Sequence, residues 1–264
     1  MMGAKGLEAY LKGLRINVLT SFYGAKDLFV PPFCHHLFLD SGAFSALRKK
    51  VKIDVADYTR FVHKWKSLVH IYASLDIIGD AVGSYKQWQS MRKAGLDPIP
   101  CFHIGEPWEY LDMYVQQTAY IALGGVAKSA TPERSCWLDE VFAHIGDLCI
   151  ARKLQVHGFG ISDEETILRY PWESVDASSV HIMSRYGGIY TPWGTLKINP
   201  EVNEHDRKWQ SSLVAIKTIK EWVESIGFDF EEARPGSPAA TLMRCAISIY
   251  YFEGIIKKAS EQKK

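Results

Sequence analysis

Runs of β-branched and aromatic residues alternate along the chain with stretches whose apolar residues recur at helical spacing. The β-rich runs are residues 18–23, 37–44, 69–77, 98–104, 120–126, 156–161 and 174–178. Between them lie "DYTRFVHKWKSLV", "VGSYKQWQSMRKAG", "EPWEYLDMYVQQT" and "CWLDEVFAHIGDLCIARKL", in which apolar positions return every three or four residues, as on one face of a helix. Strands separated regularly by helices imply parallel βαβ units. Seven such runs, with an eighth at 190–198, predict an α/β fold of the (β/α)8 TIM-barrel type; a doubly wound open sheet is the competing topology. The last third, "DRKWQSSLVAIKTIKEWVESIG" and "TLMRCAISIYYFEGIIKKA", reads as two long amphipathic helices joined by "FDFEEARPGSPAA". Residues 1–264 are thus expected to form one barrel domain, with 205–259 as its C-terminal helical part.

The stretch "HGFGISDEETILRYPWESVDASS", residues 157–179, shows the pattern in miniature. Its charged, helix-like spacer ends at Tyr170-Pro171, because proline lacks an amide proton and restricts the residue before it. A short strand follows and closes on one carboxylate, Asp176, among small residues. Polar or glycine positions recur at the ends of the other predicted strands: Asp40, Asp76, His103, Gly124 with Gly125, and Gly158 with Gly160. Singly, each reads as a turn residue or cap. Together they predict a pocket, since catalytic groups converge at the C-terminal edge of a barrel.

Composition narrows the partners. The chain is 47% hydrophobic, 23% charged and 12% aromatic, with a formal charge of +1, so attraction to nucleic acid must come from a local patch. Arg48, Lys49 and Lys50 form one candidate, and the tail lysines Lys257, Lys258, Lys263 and Lys264 another that reads better as a solvated face. The five cysteines are far apart and form no C-x-x-C pair, which argues for reduced thiols in a cytoplasm and against a closed zinc site. His35-His36 has no partners at metal-ligand spacing. No apolar run approaches the length of a membrane span, and the N-terminus has no continuous apolar core of a signal peptide; no membrane partner is expected.

The motif "LDSGAFSAL" resembles the Asp-Ser-Gly-Gly-aromatic motif of the tRNA-guanine transglycosylase superfamily, and "IALGGVA" resembles that family's base-binding loop. Taken in order with "YASLDIIGD", "CFHIGE", "HGFGIS" and "YPWESVDASS", they look most like the short phage branch that inserts 7-deazaguanines into DNA. The resemblance runs from about residue 37 to residue 198 and is most specific at "VHGFG … RYPWESVDASS". It implies a base-exchange reaction through a covalent aspartyl-nucleotide, with guanine and a free 7-deazaguanine of the preQ0 or preQ1 type as the exchanged bases and no cofactor.

By this resemblance Asp176 is the nucleophile and Asp40 the general acid and base, in a double displacement that retains configuration. Asp76 accepts from the purine N1–H and 2-amino group. The backbone of Gly124, Gly125 and Val126 approaches the base, with Gly160 nearby, and Phe44 and Phe159 sandwich it. His103 stands where the family usually has glutamine; it either donates to the six-position substituent of the base or is a satisfied buried histidine. Ser41 and Ser178 either hydrogen-bond substrate or cap local turns, and the first reading is taken for Ser41.

The departures bear on the polymer. The Cys-x-Cys-x-x-Cys plus histidine zinc site of the tRNA enzymes has no counterpart after Asp176, so no metal is expected and DNA is favoured over tRNA. In its place stands "SRYGGIYTPWGTLKI", whose Arg185, Tyr186, Tyr190 and Trp193 have the composition of a strand-binding groove or of a buried barrel edge. An RNA-acting transglycosylase and a non-catalytic base-binding barrel are the alternatives. The second would gain nothing from two carboxylates repelling one another in one pocket.

Overall fold

The computed structural model describes residues 16–31, 34–126, 131–198, 213–234 and 239–262. Contacts divide the described residues into two compact units, one ending at Asp176 and one beginning at Ala177. The first is an α/β unit of parallel strands: β1 (Ile16–Ser21), β2 (Cys34–Asp40), β3 (Ile71–Tyr72), β4 (Cys101–His103), β5 (Tyr120–Gly124), β6 (Gln155–Gly158) and β7 (Ser174–Val175). They pair in the orders β1-β2-β3 and β4-β5-β6-β7, and one parallel bridge between Ala73 and Ile99 links the two sets. Strand order therefore follows chain order, without the reversal that marks a doubly wound sheet. Among the described residues no pairing joins β7 to β1.

Helices fill the connections: α1 (Ala43–Arg48), α2 (Val55–Trp65), α3 (Ala81–Lys93), α4 (Trp108–Gln117), α5 (Thr131–Ala151) and α6 (Glu164–Arg169). Three begin at an aspartate whose side chain accepts a free backbone N–H of the first turn: Asp54 for α2, Asp80 for α3 and Asp163 for α6. Each such cap stabilises its helix by about 1 kcal/mol. α6 stops at Tyr170, which is extended (φ −118°, ψ 153°) as the following proline requires. The connection from β1 to β2 differs from the βαβ expectation, with turns rather than a helix among its described residues.

Alternation along the strands sorts side chains to two faces. In β2, Leu37 and Leu39 pack with Tyr58, Val62 and Met91 of the helices, while Phe38 joins Ala73, Ile99, Cys101 and Ala122 on the opposite face. Neighbouring strands are about 4.8 Å apart, so strands four places apart in a flat sheet would stand about 19 Å from one another. Yet the Phe38 ring of β2 lies 4.5 Å from the His157 ring of β6. The sheet is strongly curled, and Phe38, Cys101, Ala122 and His157 lie inside the curl. By the same alternation Asp40, His103 and Gly124 share this inner face one step further along.

The second unit contains α7 (Ser179–Arg185), β8 (Gly188–Thr191), β9 (Gly194–Lys197), α8 (Leu213–Ser225) and α9 (Ala240–Gln262). Residues 190–198, expected as an eighth parallel strand, instead belong to the antiparallel hairpin β8-β9. The reason is local: Pro192 and Gly194 are turn residues, and the Thr191 hydroxyl closes the turn by donating to Gly194 O at 2.6 Å. The two long C-terminal helices form as α8 and α9; residues 205–212 of the expected helical part lie outside the described residues, as do Lys263 and Lys264. Arg244, buried on α9, donates to Ser184 O (2.7 Å) and Ala233 O (2.6 Å), which compensates the cost of burying its charge. Among the described residues no helix is long and apolar enough to cross a membrane.

Candidate active site

The inner face of the curl carries the polar groups at its C-terminal edge. β2 ends at Asp40, and the chain then turns sharply through Gly42, whose φ of 78° lies in the left-handed region. A Cβ there would stand 2.3 Å from Tyr23 Cβ and 2.4 Å from Ser21 Oγ, so only glycine fits. The Gly42 N–H donates to Asp40 Oδ2 at 3.1 Å. Ser41 is fully buried, and its hydroxyl donates to Asp76 Oδ1 at 3.3 Å, tying the end of β2 to the segment after β3. Burial first, then the charges of Asp76 and Asp176, push the Asp40 carboxyl up to about 7, against the amides of Gly42 and Ser41. Asp76 and Asp176 are thus each near enough to act on Asp40.

His103, at the end of β4, is clamped. Its Nε2 lies 2.9 Å from Asp76 Oδ2 and its Nδ1 3.4 Å from Glu106 Oε1, while its backbone N–H donates to Glu106 Oε2 at 2.9 Å. The Cys101 sulfur lies 3.5 Å from Nε2. Burial opposes charge on this ring, but Cys101 and the hydrogen bonds with Asp76, Cys101 and Glu106 outweigh it and raise the His103 pKa. Gly124 makes the arrangement possible: a Cβ there would lie 2.7 Å from both Cys101 Sγ and His103 Cδ2. Its lack of a side chain thus admits the histidine ring.

Asp176 follows β7. Its Oδ1 accepts the Gly160 N–H at 3.0 Å and faces His157 Nε2 at 3.4 Å. His157 is 1% exposed, and its Nδ1 lies 2.7 Å from the Ser174 hydroxyl, which lies 2.8 Å from the Tyr120 hydroxyl.

The remaining expected residues are placed as follows. Phe159 packs its ring against Phe38 (5.8 Å) and His157 (4.6 Å), and Phe44 is exposed at the start of α1. After β5, Gly125 is exposed and Val126 buried. Arg48, Lys49 and Lys50 are exposed at the end of α1, and the Lys49 ammonium stands 5.5 Å from the Tyr23 ring centroid. In the second unit Arg185, Tyr186 and Trp193 are exposed, whereas Tyr190 packs on Phe252 at 5.0 Å. Ser178 is the N-cap of α7 but makes no side-chain cap bond.

Glu106, His157, Ser174 and Tyr120 were not singled out by sequence reasoning. The usable signal was small: a histidine at an alternate position of "QVHG", and a glutamate three residues beyond His103. Among the described residues, Asp76, Cys101 and His103 bring one ligand atom each within 4.8 Å of one another. That oxygen, sulfur and nitrogen set has the donor chemistry to hold a metal, although here Asp76 and His103 are bonded to each other. Neither a family model nor a curated protein matches this chain.

Proposed function

We propose that the protein is a base-exchange transglycosylase that replaces guanine in DNA by a 7-deazaguanine of the preQ0 or preQ1 type, on a (β/α)8-type barrel. The unreversed strand order and the curl of the sheet support the barrel. One observation carries the chemistry: Asp40, Asp76 and Asp176 gather at one end of the sheet, with the Asp40 carboxyl pushed up to about 7. A group that must give a proton and then take one works best with its pKa near the working pH. The motif resemblance of residues 37–198 supplies the reaction class.

In the first half of the reaction an Asp176 oxygen bonds to the sugar C1′ as the bond from C1′ to the guanine nitrogen breaks, and Asp40 gives its proton to the departing base. In the second half the incoming deazaguanine loses its ring N–H proton to Asp40, its nitrogen bonds to C1′, and the Asp176 ester opens to a carboxylate. Asp76 serves as the acceptor for the N1–H and 2-amino edge common to both bases. Ser41 and His103 use one lone pair on each of its oxygens, and a carboxylate oxygen has two. His103, with both ring nitrogens turned to carboxylates, acts here by holding Asp76 rather than by touching the base. Arg48, Lys49 and Lys50 supply cations for the phosphate backbone, and the target base must be flipped out or already single-stranded.

The test is incorporation of labelled guanine by metal-stripped protein into duplex DNA, single-stranded DNA and a guanine-containing tRNA in parallel. Label is expected in DNA, with binding that weakens steeply as salt rises. Label in tRNA alone overturns the polymer, activity that returns only with zinc overturns the metal-free reading, and label in none of the three overturns the enzyme.

A further inference from the structure

We propose that His157 is a positioning residue for Asp176, and that a chain of hydroxyls from Tyr120 through Ser174 fixes its proton on Nε2; this rests on the reading of Asp176 as nucleophile. The chain crosses three neighbouring strands. Tyr120 opens β5, His157 lies in β6, and Ser174, the register partner of His157, opens β7.

Distances define the links of the chain, and its direction is what we infer. The Tyr120 and Ser174 oxygens are 2.8 Å apart, and the Ser174 oxygen is 2.7 Å from His157 Nδ1. If Tyr120 donates to Ser174 and Ser174 to Nδ1, every hydroxyl proton is used and the ring proton resides on Nε2. Nε2 is buried without a hydrogen-bond partner among the described residues, and the polar atom it faces is Asp176 Oδ1 at 3.4 Å. A bare Nε2 would set a lone pair against a carboxylate, whereas Nε2–H sets a donor there. Phe38 and Phe159, with ring centroids 4.5 and 4.6 Å from that of His157, hold the imidazole in this orientation.

Asp176 Oδ1 accepts the Gly160 N–H at 3.0 Å, so this donor and the facing Nε2 lie at the same oxygen and Oδ2 is the atom presented for attack. The arrangement serves both halves of the reaction. While the ester exists, Oδ1 is its carbonyl oxygen and keeps its donors. When the bond from Oδ2 to C1′ breaks, negative charge returns to a carboxylate already faced by two N–H groups, with no rearrangement needed.

Four variants and a spectrum test this: His157→Leu, His157→Gln, Ser174→Ala and Tyr120→Phe in the exchange assay, and the long-range nitrogen–proton spectrum of the histidine rings, which distinguishes tautomers. Hydrogen bonds to charged groups are the stronger kind, so kcat should fall about 10- to 100-fold in His157→Leu with KM for the free base within about twofold. Most of it should return in His157→Gln, whose amide restores a donor. Ser174→Ala and Tyr120→Phe each remove only a hydroxyl, so they keep the proposal testable if the leucine variant does not fold; they should lower kcat by about tenfold and about two- to threefold. The wild-type spectrum should show the proton on Nε2, and Ser174→Ala should mix the tautomers. A proton on Nδ1 alone in the wild type, or a wild-type kcat in both His157→Leu and Ser174→Ala, overturns the proposal. Wild-type protein that exchanges no base, yet carries the proton on Nε2, overturns the transglycosylase reading while supporting the hydrogen-bonded chain.

Discussion

His103 and His157 lie on the same inner face of one curled sheet, two strands apart, and the protein surrounds them differently. His103 has a carboxylate at each ring nitrogen and a thiol beside it. His157 has a hydroxyl at one nitrogen, a carboxylate at the other and aromatic rings packed on it. Two acidic partners favour a charged ring that holds its neighbours by attraction. One hydroxyl and one carboxylate instead suit a ring that links the two, the positioning part proposed for His157. A histidine's part in a site is therefore set by what its second nitrogen meets.

The strongest way to break this comparison is at the carboxylate that His157 faces. Asp176→Asn keeps the shape of the side chain and removes the carboxylate proposed as nucleophile, so exchange should fall by on the order of 10⁴-fold or more and a trappable protein–DNA adduct should vanish. Exchange at the wild-type rate would move the reacting centre away from the His157 side.

Next in size is Asp40→Asn, expected to cost about 10²- to 10⁴-fold in kcat with little change in KM for the free base. The same variant has a stability signature. The folded pKa, about 7, lies above the ordinary 3.8, so native protein holds a proton that the unfolded chain has released. Stability is therefore undiminished below the unfolded value and falls as pH rises toward the folded one. Removing the charge should stabilise the protein at pH above about 7 by at most about 4 kcal/mol and leave it unchanged below about pH 4. Denaturant unfolding at the two pH values checks both the sign and the window.

The two histidines themselves should separate in stability. His103→Gln strips one partner from a buried ionic cluster, at a cost of about 3 to 5 kcal/mol. Because the folded His103 pKa is raised, that contribution is whole below the ordinary imidazole value of 6.5 and fades as pH rises through the folded value. His157→Gln should cost less at every pH. Equal losses would erase the distinction between them.

The smallest expected effect sharpens the His103 side. Asp76→Ala removes the acceptor proposed for the purine edge and should narrow discrimination between guanine and hypoxanthine by about 1 to 3 kcal/mol, read from competing free bases in the exchange assay.

Much of this was readable in the sequence because both faces of a curled parallel sheet are filled by alternation. β2, β4, β5 and β6 begin within a few residues of the runs that named them, and Asp40, Asp76, His103 and Asp176 were found as polar residues closing those runs. The strands at 71–72 and 174–175 are shorter than their runs, since the ladder ends where the chain turns toward the site. The hairpin at 188–197 was missed because strand spacing was weighed above the turn chemistry of Pro192 and Gly194. His157 escaped because a buried strand is apolar on both faces, so alternation does not tell which face is inner. Its partners Ser174 and Tyr120 lie 17 and 37 positions away in sequence, and register alone makes them neighbours.

Gly124 has a consequence for inheritance. A methyl group at that position would collide with the His103 ring and the Cys101 sulfur, so alanine at 124 and histidine at 103 exclude one another. The two positions should change together. In any relative where positions 101 and 103 both carry shorter side chains, the glycine loses this steric reason to persist, and a library that varies the three sites at once should recover folded combinations that single substitutions never reach.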